Sequence, residues 1–128
     1  MSEYNRTRNR AVWVDIPVVD LDRAADFYRN VLNIEVSREQ FGDVAFCVLE
    51  HAEGNGGCLV VSPEQVAPNG GLLVYLNVDG RIRDAVAKIG ENGGEVIEDV
   101  HSIGPHGFRS LVRDSEGNRI ALHSDSDA

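Results

Sequence analysis

The sequence has only two cysteines, the residues that stabilise many small folds through disulfides or bound metal ions. Its only cysteines, Cys47 and Cys58, do not form a CxxC pattern, and both lie in apolar, strand-like runs. This arrangement is typical neither of a zinc motif nor of a disulfide framework, so we predict two buried, reduced thiols. No apolar run approaches the ~20 residues of a membrane-spanning helix, which argues against an integral membrane protein.

Basic residues are scarce as well. Twelve Lys and Arg stand against 21 Asp and Glu, giving a net charge of −9, and such a surface repels the phosphate backbone of nucleic acids. The first residues carry no apolar stretch after their basic side chains, so they do not resemble a secretory signal. We therefore predict a cytoplasmic protein that binds neither nucleic acid nor membrane.

The hydrophobic pattern of the first half predicts strands and one helix. In segment 11–18 aliphatic residues occupy every second position, the period that is typical of a strand. Asp20 or Asp22 can then cap a helix with apolar residues at helical spacing, which Asn33 can end in the left-handed conformation. Further strands are predicted at 34–41, 43–50 and 58–62.

The same order restarts after a linker at 64–71 that is rich in Pro, Asn and Gly. A strand at 72–78 repeats the alternation of the first one with an offset of 60 residues, and a helix stripe and three strands at 95–102, 107–113 and 118–124 follow. The repeat predicts an α+β fold in which one domain, residues 1–128, consists of tandem β-α-β-β-β modules at 11–62 and 72–124. We expect them to form a curved mixed sheet around a cleft.

Three stretches of the sequence resemble the vicinal oxygen chelate (glyoxalase/bleomycin resistance/dioxygenase) superfamily. They are VVDLDRAADFY at 18–28, NGGEV at 92–96 and DSEGNRI at 114–120, and they stand in the order of that family. Each stretch is weak by itself, but together with the duplication they are fairly specific. The resemblance implies a glyoxalase-like fold, and the ending 117–124 resembles the branch described as lactoylglutathione-lyase-related.

The resemblance also implies where a metal would be held. In metal-dependent members four side chains from the first and fourth strands of each half bind the cation, and the matching positions here are Trp13, Leu59, Leu73 and Ala121. A divalent cation needs oxygen, imidazole or thiolate donors, which none of these side chains supplies. We therefore predict no metal and no other cofactor, and we expect these residues to line a cleft that binds a small molecule.

Polar residues of the cleft follow from the alternation along each strand. Counting in steps of two places the following residues on the same face as the metal-ligand positions: Asp15, Tyr75, Asn77, Arg119 and His123. General acid-base chemistry needs a group that titrates near neutral pH beside one that orients it, so His123 with Asp15 is the predicted catalytic pair. The alternative is that some of these side chains lie at exposed strand ends.

A turn in the second half adds two more candidates. His101 and His106 bracket Gly104-Pro105, which presets a turn. The resemblance places this segment near the cleft rim, so Phe108 and Arg109 are predicted to contact the ligand as a lid or as an anion clamp. The alternative is a surface hairpin.

Two residues of the first half are predicted to face solvent. Glu50 and His51 end a strand before a loop rich in Gly and Asn. Their spacing does not exclude a non-standard metal site that they would form with His101 and His106.

Three functions are compatible with the sequence. The leading hypothesis is a glyoxalase/bleomycin-resistance-like protein that binds a small molecule without the standard metal centre, as a lyase or isomerase or as a sequestering protein. A metal-dependent lactoylglutathione lyase-like or dioxygenase-like enzyme with displaced ligands is the second, and a regulatory module with a vestigial cleft is the third. We also predict a homodimer, because relatives of this length commonly form one and small sheets leave edges to cover.

Overall fold

The computed structural model describes residue 11 and residues 13–128, which form eight strands and two α-helices. The strands are β1 (Trp13–Val18), β2 (Val36–Phe41), β3 (Val44–Leu49), β4 (Gly56–Val61), β5 (Val74–Asn77), β6 (Glu95–Ser102), β7 (Phe108–Arg113) and β8 (Arg119–Ser124). The helices are α1 (Leu21–Leu32) and α2 (Ile82–Ala87). Within these described residues no helix is long and apolar enough to cross a membrane.

The strands form two sheets with the same plan. The strand orders are β1-β4-β3-β2 and β5-β8-β7-β6. In the first sheet β1 runs parallel to β4, in the second β5 runs parallel to β8, and all other neighbours are antiparallel. The predicted α+β fold with a duplicated β-α-β-β-β order is thus confirmed. The prediction of one curved sheet differs from the structure in one detail. No hydrogen-bonded ladder joins β1 to β5 among the described strands, so there are two separate sheets.

The ends of the helices follow local capping chemistry. The Asp20 carboxylate accepts a hydrogen bond from the Arg23 N–H, and Asn33 ends α1 with φ 57°. The second helix is shorter than its apolar stripe predicted. It ends at Ala87 and is followed by a 3-10 turn at Gly90–Asn92, because Gly90 is a poor helix former and the chain tightens there.

Both helices pack against the same side of the sheets and share one hydrophobic core. The core includes residues of both halves, namely Ile16, Val18, Leu21, Ala24, Phe27, Tyr28, Val31, Leu59, Val78, Ile82, Ala85, Ile89, Val112, Ile120 and Leu122. The alternate residues of each strand face away from the helices, and we call this side the open face. Trp13 and Tyr75 lie there, partly exposed.

A turn at 114–118, between β7 and β8, ties the second half to the start of α1. The side chain of Glu116 is fully buried and accepts hydrogen bonds from the backbone N–H groups of Val19 and Asp20, at 2.9 and 2.7 Å. It also accepts two from the guanidinium of Arg23. Burial alone would raise the pKa of Glu116, but hydrogen bonds from Arg23, Asp20, Ser115 and Val19 outweigh burial and lower the pKa to about 2.

A second buried carboxylate in the same turn reaches further along the helix. Asp114 accepts a 2.6 Å hydrogen bond from the Tyr28 hydroxyl and further ones from the N–H groups of Glu116 and Asn118. Burial, followed by the charge of Asp114, raises the pKa of Tyr28 well above its ordinary value, so the hydroxyl stays protonated. The two carboxylates therefore fix α1 against the second sheet.

Candidate functional site

A cavity of about 650 Å³ opens in the gap between the two sheets, where β1 and β5 are the facing edges. Its apolar wall comes from Val14, Ile16, Leu32, Ile34, Leu49, Val74 and Leu76, and Trp13, His51, Tyr75 and Asn77 also line it. We call it the Trp13 cavity. Its volume lies in the usual range for small-molecule sites, about 300–1,000 Å³. The cleft thus lies in the gap between the sheets, and not on one continuous curved sheet.

Trp13 is held at this cavity by two neighbours. Its indole Nε1 donates to the Sγ atom of Cys58 at 3.4 Å, and its ring meets that of His51 edge to face with centroids 5.5 Å apart. The Cys58 thiol in turn donates to Asp15 at 3.1 Å. Burial raises the pKa of Cys58, the Trp13 hydrogen bond lowers it and the one to Asp15 raises it again. Cys58 is thus a protonated thiol, and Cys47 is buried and free as predicted.

The prediction that Leu59 faces the cleft is wrong. Leu59 pairs with Ile16 across the β1–β4 ladder and is fully buried beneath the helices. Asp15 is instead paired with Cys58, just as Tyr75 is paired with Ala121 in the second sheet. The open-face residue equivalent to Ala121 is therefore Cys58, one residue earlier than expected.

The residues at the expected metal-ligand positions do not fit a divalent cation. Trp13 offers an N–H donor, and Leu73 and Ala121 offer no donor atoms. Cys58 is a thiol engaged by its neighbours. Among the residues that the structure describes, no group of three or more His, Cys, Asp or Glu side chains is arranged to hold a metal ion, and this includes the alternative set with Glu50.

A second cavity of about 520 Å³ lies around His123. Its lining residues are Tyr75, Leu76, Asn77, Ile103, His106 and His123, and the three β5 residues also line the Trp13 cavity, so the two cavities are neighbours along that strand. The Nε2 atom of His123 lies 2.7 Å from the backbone carbonyl of His106. A carbonyl only accepts, so Nε2 carries the proton and Nδ1 of the neutral ring has a free lone pair.

Asp15 and His123 do not form the predicted pair. Asp15 lies in β1 with Cys58 as its partner, whereas His123 lies in β8 of the other sheet. The group that orients the His123 ring is the carbonyl of His106. A catalytic role for either residue stays a prediction, but they would act separately.

Arg109 makes two side-chain hydrogen bonds on the open face of the second sheet. Its Nη1 atom donates to the Tyr75 hydroxyl at 2.6 Å, and its Nε atom donates to Nε2 of His101 at 3.1 Å. Nδ1 of His101 lies 2.8 Å from the carbonyl of Asp99, so the proton is on Nδ1 and Nε2 is free to accept. Since β8 lies between β7 and β5, the Arg109 side chain crosses β8 to reach Tyr75.

The remaining candidates are spread around this centre. Phe108 pairs with the buried Ser124, and it faces the opposite side of the sheet from Arg109. Arg119 is half-buried on the open face, and its Nε atom has no hydrogen-bond partner among the described residues. Leu73 precedes β5 and lines neither cavity.

His51, which the sequence analysis placed in solvent, is half-buried at the Trp13 cavity. Gly56 leaves room for it, since a Cβ atom at that position would lie 2.6 Å from the imidazole ring. The Gly56-Gly57 pair in the sequence could have indicated this position of His51, because glycines in a strand often mark a site where another group packs closely against the backbone. Glu50 is exposed, as predicted.

The chain matches known proteins along most of its length. The family model described as Glyoxalase/Bleomycin resistance protein/Dioxygenase superfamily matches residues 10–122. A glyoxylase-like domain-containing protein of Didymella fabae is 30% identical over 115 residues, which cover 85% of this chain and 88% of that protein. These matches leave the lactoylglutathione-lyase-related branch as a prediction.

Solved structures share the fold. A glyoxalase/bleomycin resistance protein of Albidiferax ferrireducens T118 superposes with a TM-score of 0.70 at 20% identity, covering 91% of this chain and 98% of that one. A genomically encoded fosfomycin resistance protein of Listeria monocytogenes gives a TM-score of 0.67 at 14% identity, covering 91% of this chain and 93% of that one.

Proposed function

Because the chain belongs to the glyoxalase/bleomycin resistance protein/dioxygenase superfamily but has no metal donor at Trp13, Leu73 or Ala121, we propose that it binds a small, largely apolar molecule without a metal. The site is the Trp13 cavity. The observation that carries the proposal is the apolar wall of this cavity, about 650 Å³ in volume, with an indole and an imidazole at its edge.

The chemistry of the cavity favours stacking and apolar contact. Trp13 offers a broad ring face, and its N–H is already used by Cys58, so the indole supplies contact area more than a hydrogen bond. His51 donates through Nδ1 to the Gly54 carbonyl, 3.0 Å away, which leaves Nε2 as an acceptor for a ligand donor. A planar or aromatic body with one hydrogen-bond donor fits these groups.

A lyase or isomerase activity is the second candidate, and His123 favours it. The free Nδ1 lone pair of this oriented ring beside the second cavity is suited to accept a proton from a bound molecule. Sequestration needs no such base. If His123→Ala loses turnover but retains binding, the protein is a lyase or isomerase. If the parent protein binds the ligand without turnover, it is a sequestering protein.

Binding is tested with the single tryptophan as reporter. A thermal-shift screen of thiol adducts, aromatic compounds and α-keto acids supplies hits, which are titrated while Trp13 emission is followed. Trp13→Ala lacks the reporter, so its affinity is measured by calorimetry, and it should bind a true ligand about 1–3 kcal/mol more weakly through lost contact area. Phe41→Ala is the control, since Phe41 is exposed and lies outside both cavities. Unchanged emission at saturation, or undiminished affinity in Trp13→Ala, would place the binding site elsewhere.

A further inference from the structure

Arg109 is a fixed cation without an acidic partner. It takes part in none of the ion pairs of the described residues, although the chain has 21 acidic and 12 basic residues. Both of its hydrogen-bond acceptors are uncharged, the hydroxyl of Tyr75 and the Nε2 atom of the neutral His101. Glu98 lies 3.7 Å from the Nε2 atom of His101, and no ion pair joins it to Arg109 among the described residues.

The contacts of Arg109 leave several donors free. A guanidinium has five N–H groups, and Tyr75 and His101 occupy two of them. Tyr75 accepts from Arg109, so the proton of its own hydroxyl is available for another acceptor. The group therefore presents one positive charge and a set of N–H and O–H donors, which is the complement of an oxyanion.

The strand order places the contact between Arg109 and Tyr75 across β8. Ala121 lies on the open face, between its partners Tyr75 and Leu111, and it is nevertheless fully buried. Arg109 is paired with His123 and Tyr75 with Ala121, so the hydrogen bond from Arg109 to Tyr75 crosses β8 diagonally along this stretch. Arg109 itself lines neither cavity, but Tyr75 lines both, so the hydrogen bond to the Tyr75 hydroxyl places the guanidinium next to a residue of the cavity wall.

We propose that Arg109 and Tyr75 bind the oxyanion of an amphipathic ligand, such as a carboxylate or sulfonate, whose apolar body lies in the Trp13 cavity. This inference rests on the proposed function and adds the chemical class of the ligand to it. In water such an exposed contact contributes little, but a guanidinium held by two partners beside an apolar cavity loses less freedom and less hydration on binding.

The test uses two dyes that differ in one group. 8-Anilinonaphthalene-1-sulfonate carries a sulfonate, and N-phenyl-1-naphthylamine is its neutral counterpart. Arg109→Gln should weaken binding of the sulfonate about tenfold or more and change binding of the neutral dye less than about twofold. Arg109→Lys should restore part of the loss, and Tyr75→Phe should show a smaller loss of the same sign. Arg38→Gln, which removes a guanidinium paired with Asp22, is the matched control.

Energy transfer from Trp13 to the dye reports whether the dye sits in the cavity, and circular dichroism checks that each variant melts like the parent. If both dyes bind and Arg109→Gln weakens neither or both equally, the oxyanion inference is overturned while the cavity proposal stands. If neither dye binds the parent protein, or Trp13→Ala leaves both affinities unchanged, the proposed function fails and this inference fails with it. If Arg109→Gln does not fold, Arg109→Lys and Tyr75→Phe take its place. The inference then requires that each of them weakens binding of the sulfonate dye more than binding of the neutral dye, and an equal effect on both dyes overturns it.

Discussion

Replacing Glu116 with glutamine should remove a large part of the stability that joins the two halves. The carboxylate accepts from two backbone N–H groups and from the Arg23 guanidinium, whereas the new amide keeps one oxygen and places an NH₂ group against donors. The Glu116 side chain is fully buried, so water cannot take over these hydrogen bonds. The shape of the side chain hardly changes, which isolates the effect of the charge.

The magnitude follows from the pKa of Glu116. In the folded protein it is lowered from 4.5 to about 2. Each tenfold change in an acid constant corresponds to about 1.4 kcal/mol, so the ionised carboxylate contributes about 3 kcal/mol of folding free energy at neutral pH. Because the folded pKa is the lower one, this contribution is complete above about pH 4.5 and is lost as the pH falls toward 2.

Urea unfolding of the parent protein and of Glu116→Gln, measured from pH 7 to pH 2.5, checks both statements. The free energy of unfolding of the parent protein should exceed that of Glu116→Gln by about 3 kcal/mol at pH 7, and this difference should decrease below pH 4.5. Glu64→Gln is the control, because the exposed Glu64 accepts only from the Ser62 hydroxyl among the described residues. It should change stability by less than about 0.5 kcal/mol. A gap below about 1 kcal/mol at pH 7, or one that does not depend on pH, would refute the reasoning.

Two further substitutions address the cavity and the core. Gly56→Ala should displace the His51 ring, shift the tryptophan emission and weaken ligand binding. Gly70→Ala is the control and should have none of these effects, because a Cβ atom there meets no neighbour. Equal emission and affinity in the two variants would contradict the contact between Gly56 and His51. Tyr28→Phe removes a donor from the buried Asp114 and should cost about 1–3 kcal/mol in urea unfolding, and a cost near zero would show that water or a neighbour satisfies that carboxylate.

Local features of the fold could be predicted because they depend on residues close in the chain. The Asp20 cap involves a backbone N–H three residues away, and the left-handed Asn33 needs only its own conformational freedom. The strand predicted at 95–102 has the bounds of β6. Alternation within a strand also placed Trp13 and Tyr75 correctly on the open face.

The error at Leu59 shows where this reasoning stops. Leu59 matches Ala121 when the two halves are aligned by their expected strand ends, Ser62 with Ser124. Equivalence is instead defined by pairing, which matches Cys58 with Ala121. A slip of one residue moves a side chain to the other face of the sheet. No local pattern in the sequence reveals such a slip.

The contacts that define the site arise from docking of distant segments. The Tyr75 hydroxyl and the Arg109 guanidinium are separated by 34 positions, and Val19 and Glu116 by 97. In the sequence Glu116 is one acidic residue of a turn, and Arg109 is one basic residue of a strand. Their partners become visible only when sheet order and packing are known.

The 114–118 turn also bears on how the chain can fold as it is synthesised. Helix α1 has 12 residues, a length at which an isolated helix is marginal in water. The N–H groups of Val19 and Asp20, just before the helix, and the Tyr28 hydroxyl of the helix bond to the carboxylates of Glu116 and Asp114 in the 114–118 turn. The first module is therefore synthesised before its partner carboxylates exist, and its helix can become fully stable only after residues 114–116 have left the ribosome.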